Sequence, residues 1–148
     1  MYEFVDGILF QEFIEKNRKE TIRAVLAEIL KQLVKLDELK INKEEMSRPT
    51  KHILVGKRGS SVVLIDFERA HHTLKPQNIT QFCDYLVSED VQSVLHKIGF
   101  KYKKDELINL AKRYRLEKNM NAGEIISYLL EKQRPETPED YESCKEEE

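Results

Sequence analysis

A chain of 148 residues, 35% charged and 40% hydrophobic, is sized for one domain with a heavily charged surface. No stretch approaches the ~18 consecutive apolar residues that a membrane span requires, so none is expected. The net charge of −2 is unevenly spread: residues 134–148 hold seven acids against two bases, which leaves residues 1–133 at +3.

Met1-Tyr2-Glu3-Phe4-Val5-Asp6-Gly7 has no basic stretch ahead of an apolar core and does not read as a signal peptide. Residues 8–16 predict a short helix. A longer one is predicted from about Arg18 to Leu39, where Ile22, Val25, Leu26, Ile29, Leu30, Leu33, Leu36 and Leu39 recur at helical steps as one apolar stripe. A polar loop follows, then an apolar strand from His52 to Val55, a turn over Gly56–Ser61, and a second strand from Val62 to Ile65 that delivers Asp66 at its end. His71-His72-Thr73-Leu74-Lys75-Pro76 reads as a loop, with a helix starting near Pro76 and running through Phe82 and Leu86. Ser88 is the expected N-cap of a helix over Glu89–Lys97 that stops at Gly99. Another helix is predicted over about Lys103–Leu116, and Asn121 with Glu124 forms a capping-box pattern opening the last, to about Lys132. Residues 134–148, with Pro135, Pro138 and a terminal run of Glu, have no apolar periodicity to bury and read as a disordered acidic tail. Cys83 is expected on a helix face and Cys144 in the tail. Neither has disulfide or metal spacing, and a reducing cytoplasm fits best. The fold class expected is α+β, mainly α, with several helices and one small β-hairpin over a domain of residues 1–133.

The ordered series over residues 1–90 resembles the protein-kinase superfamily, in particular its compact atypical RIO and Bud32 branches. In kinases a catalytic loop reads His-x-Asp, four residues, then Asn, with a strand on each side and Asp-Phe-Gly after the second. Here Asp66-Phe67-Glu68 stands in the Asp-Phe-Gly place and His52 in the place of the metal-binding Asn. Residues 1–7 look like the hinge strand between kinase lobes, residues 8–39 like the helices after it, and 44–68 like the catalytic-loop and hairpin region. The resemblance implies a kinase-like C-terminal lobe from a serine/threonine protein kinase, with ATP as donor. Asp66 and His52 would face magnesium. Glu3, Val5, Arg48 and His52 would contact the nucleotide, and Glu45 and Lys51 would serve catalysis. Counting back five from His52 lands on Ser47, a poor base. A loop two residues longer puts Glu45 there, with Lys43 where His would be and Met46 after it. Arg48 and Lys51 are the cations available beside a transferred phosphate.

The Gly-rich turn, strand lysine and partner Glu of a kinase N-lobe all precede the hinge, and the chain begins at the hinge-like segment. Magnesium and ATP are therefore expected to bind only when an N-lobe is supplied, and that lobe, self-association or a protein substrate are the expected partners. The rival readings are a noncatalytic pseudokinase-type binding module and a small RNA- or ribosome-associated protein. The latter would use residues 100–118, where seven bases face three acids. Adjacent His71 and His72 diverge and have no Cys or third His beside them, so zinc is not expected there.

Overall fold

The structure, a computed structural model, describes residues 7–44, 46, 52–56, 61–65, 67–116 and 122–130. In chain order these are β1 (Gly7–Leu9), α1 (Phe10–Lys16), α2 (Lys19–Glu38), β2 (Ile41–Asn42), β3 (Ile53–Gly56), β4 (Val62–Leu64), β5 (His71–His72), α3 (Asn78–Leu86), α4 (Glu89–Lys97), α5 (Lys104–Leu116) and α6 (Gly123–Leu130). The fold is α+β and mainly α, as expected. The segments 100–133 and 134–148 are described only in part and not at all, respectively.

Lys, Glu, Ala and Leu dominate α2, residues that lose little freedom in a helix. Its stripe, Ile22, Val25, Leu26, Ile29, Leu30 and Leu33, is fully buried. At ~1.5 Å per residue the helix is about 30 Å long and serves as the spine, with α3, α6, β2 and β4 laid against it. The stripe ends earlier than its spacing predicts. Lys40 takes a left-handed φ of 59°, its N–H bonding back to the Asp37 carbonyl at 3.1 Å, and this turns the chain out of the helix. Leu39 is thereby left half exposed, and Asp37 takes the next inward position.

Phe10, Phe82 and Tyr85 join α1 to α3 with ring centroids 5.8–6.3 Å apart. The second layer is α5, which packs Leu107 and Ala111 inward, and α6, with Ile125, Leu129 and Leu130. Arg23 ties the end of α6 to α2 by donating to the Leu130 carbonyl at 2.8 Å. Cys83 is buried on α3, and its thiol pKa is pushed up to about 12 by that burial and by the charge of Asp84. Cys144 lies outside the described residues, as does Asn121. Ser88 occupies the N-cap position of α4, but its hydroxyl donates to the Tyr85 carbonyl at 2.6 Å instead of capping the helix.

The expected hairpin is present, and the sheet structure around it is larger. β3 pairs antiparallel with β4 in the register Ile53↔Leu64, Leu54↔Val63, Val55↔Val62, and on its other edge β1 pairs antiparallel with Gly7 opposite Gly56. Ile8 and Leu9, read as the start of a helix, thus join Gly7 of the hinge-like segment in a strand, because pairing satisfies backbone groups that a lone hairpin would leave open. Likewise His71-His72, read as loop, pairs antiparallel with Ile41-Asn42. Gly7 is required by this packing: a Cβ there would lie 2.5 Å from the Val55 carbonyl oxygen. Gly7→Ala is therefore expected to cost about 1–3 kcal/mol. Equilibrium denaturation, with amide exchange at Ile8 and Val55, would show the strand released, and unchanged protection would count against the close approach.

Candidate functional site

Five polar or charged residues are buried among the described residues: Asp37, Asn42, Lys43, His52 and Asn78. All five lie in or against the described residues 41–44 and Met46, together with His52. Burying such groups is costly unless each is hydrogen-bonded, and here they are bonded to one another and to that backbone.

Asn78, at the start of α3 and wholly buried, is the centre. Its Oδ1 accepts from the Lys43 N–H at 2.8 Å, and its Nδ2 donates to the Ile41 carbonyl at 2.6 Å and to Asp37 Oδ1 at 2.9 Å. Asp37 Oδ1 also accepts from the Asn78 N–H at 3.3 Å, and Oδ2 accepts from the Tyr114 hydroxyl of α5 at 2.6 Å. Gln77 donates its N–H to Asn42 Oδ1 at 2.8 Å, Asn42 Nδ2 donates to Glu44 at 2.8 Å, and Gln81 accepts from the Met46 N–H at 3.2 Å. Lys40 and Glu44, with φ of 59° and 69°, flank residues 41–43 in left-handed backbone. Such conformations persist in non-glycine residues only where surrounding contacts enforce them.

The ladder β2–β5 closes the base of a long excursion. Residues 43–70 leave from Asn42 and return to His71, and the β3–β4 hairpin lies within them. At its mouth the Lys43 ammonium sits 3.0 Å from His52 Nδ1 and 5.0 Å from the centroid of Phe67. The His52 carbonyl accepts from the Ile65 N–H at 2.9 Å, so β3 and β4 enter the mouth in fixed register. His71 Nδ1 lies 3.7 Å from Glu44 on the exposed side.

Of the residues singled out by sequence, His52 is placed here. Glu3, Val5, Glu45, Ser47, Arg48, Lys51 and Asp66 lie outside the described residues, with Asp66 flanked in the chain by the described Ile65 and Phe67. Sequence reasoning missed Asp37, Asn78 and Tyr114. Asp37 carried a usable signal, since it stands four residues after Leu33, where the inward face of α2 calls for an apolar side chain. Asn78 and Tyr114 gave none, because their partners are more than thirty residues away in the chain.

In the segment suspected of contacting RNA, the Arg113 guanidinium lies 3.6 Å from Glu124 of α6, and the Lys103 N–H donates to the Tyr128 hydroxyl at 2.9 Å. Among the described residues no helix is long and apolar enough to cross a membrane.

Burial raises the pKa of Asp37, and hydrogen bonds from Tyr114 and Asn78 work against that rise without cancelling it. A carboxyl whose pKa is raised on folding contributes stability that is complete below its unfolded value, near 3.8, and is lost as pH climbs through the folded value. Asp37→Asn keeps an acceptor for Asn78 and removes the titration. The stability of the wild-type chain relative to this variant is therefore expected to fall as pH rises from 3.5 toward neutrality, as read by urea unfolding at a series of pH values. A relative stability that climbs with pH would contradict the desolvation argument.

Compared with family models, curated proteins and solved structures, the chain finds no match.

Proposed function

We propose that the chain is a kinase-like C-terminal lobe, of the atypical serine/threonine type, whose 41–67 region holds magnesium and orients a phosphate acceptor once an N-lobe completes the cleft. One observation carries this reading: the buried polar residues among those described all converge on the stretch between β2 and the hairpin. Departures from local rules such as an apolar interior are expected at functional or strained sites, and the loop held in this way is the one that the resemblance makes catalytic. The order of loop, hairpin and acid is the one on which the resemblance rests.

In phosphoryl transfer the protein contributes mainly positioning and charge. Asp66 supplies the carboxylate that a hard cation prefers, and magnesium, when bound, neutralises charge on the transferred phosphate. Glu45 accepts the proton of the acceptor hydroxyl. Arg48 and Lys51 offset charge developing on the equatorial oxygens, and the backbone at Glu3 and Val5 meets the adenine.

Magnesium–ATP binding is the test. The chain alone is expected to bind in the millimolar range, about −4 kcal/mol, because the phosphate-cradling half of the clamp belongs to the N-lobe. Fusion to an atypical-kinase N-lobe is expected to tighten calorimetric binding at least tenfold, and Asp66→Asn to abolish the gain. A fused protein that binds no nucleotide would establish a noncatalytic platform instead, and tight binding by the chain alone would refute the lobe reading.

A further inference from the structure

We propose that Lys43 is a positioning residue that commits the Nδ1 lone pair of His52 to a hydrogen bond, so that His52 acts as a donor through Nε2 and a cation in this site takes oxygen ligands only. The cation itself rests on the kinase-lobe reading, whereas the orientation of His52 does not. An ammonium group has three donors and no acceptor, and an imidazole nitrogen that receives such a donor must present its lone pair. Lys43 Nζ lies 3.0 Å from His52 Nδ1, and a charged Lys43 makes Nδ1 the acceptor and leaves the ring hydrogen on Nε2.

Neither nitrogen is then suited to a metal. Ligation through Nδ1 displaces the ammonium. Ligation through Nε2 moves the ring hydrogen to Nδ1 and sets an N–H against the ammonium 3.0 Å away. Water cannot relieve that opposition, since Lys43 is 1% and His52 8% exposed. The main chain that carries both partners is held in place. The Lys43 N–H is fixed to Asn78 and its ammonium lies over the Phe67 ring, while the His52 carbonyl is fixed to Ile65. His52 thus departs from the role its place in the resemblance implies, and magnesium's preference for oxygen agrees with the departure.

Imidazole nitrogen NMR on uniformly 15N-labelled protein tests this without nucleotide, with the His52 signals assigned by their loss in His52→Asn. The expected result is a pyridine-type Nδ1 and a pyrrole-type Nε2, neither of which moves on titration with zinc, a probe that favours imidazole more than magnesium does. In Lys43→Met the two signals are expected to shift toward the average of the two tautomers, and zinc to move them. A pyrrole-type Nδ1 in the wild-type protein, a zinc-dependent shift of its His52 signals, or a folded Lys43→Met protein with both signals unchanged would each overturn the proposal. If Lys43→Met does not fold, the two wild-type measurements decide. Failure of the two-lobe protein to bind magnesium–ATP would remove the lobe reading and leave the His52 result standing.

Discussion

Asn78→Ala is expected to lower the unfolding free energy by about 2–4 kcal/mol, because it orphans a buried backbone N–H at about 1–3 kcal/mol and a partly buried carbonyl at less. The Lys43 N–H loses its acceptor where water does not reach, and the partly buried Ile41 carbonyl loses its donor. The amide is needed, and its shape alone will not serve. Asn78→Asp keeps an acceptor for Lys43 but sets a second carboxyl against Asp37, 2.9 Å from the atom it replaces. At neutral pH it is therefore expected to be at least as damaging. Denaturant unfolding gives the magnitude, and amide exchange at Lys43 shows whether the loop is released with it. A loss under 1 kcal/mol for the Ala variant would show that the loop is held by other means.

Phe82→Ala, four residues along the same helix, is expected to cost about 3–5 kcal/mol for a different reason. Phe82 is wholly buried, and its ring stands 6.3 Å from Phe10 and 5.8 Å from Tyr85, so truncation opens a cavity between α1 and α3. Its removal weakens the core throughout and leaves the Asn78 bonds intact. The two variants should therefore separate by exchange pattern: Asn78→Ala exposes residues 41–46 ahead of the core, whereas Phe82→Ala lowers protection in α1 and α3 together. A midpoint unchanged by Phe82→Ala would mean that neighbouring side chains collapse into the space.

These two positions also mark where legibility in the sequence ends. Apolar spacing was sufficient for α2 from Ile22 to Leu33, for the face of α3 with Phe82 and Leu86, and for the hairpin Ile53–Leu64. In each, local periodicity and burial select the same residues. Pairing between distant segments was not readable. A two-residue strand such as Ile41-Asn42 or His71-His72 is too short for alternation to register, and each exists because the other lies beside it. β1 is a strand for the same reason, with β3 as its template.

By itself the sequence determined the helical frame and the hairpin, because those follow from side-chain periodicity. Only the tertiary structure decided which polar residues support the loop. Asp37, Asn78 and Tyr114 come from three helices separated by as many as 77 positions, and their hydrogen bonds depend on how those helices pack. It alone, too, brought Lys43 to His52 and Phe67. The contact depends on β2–β5 closing the base of the loop while the hairpin sets its far side, and no local preference of a buried lysine specifies that.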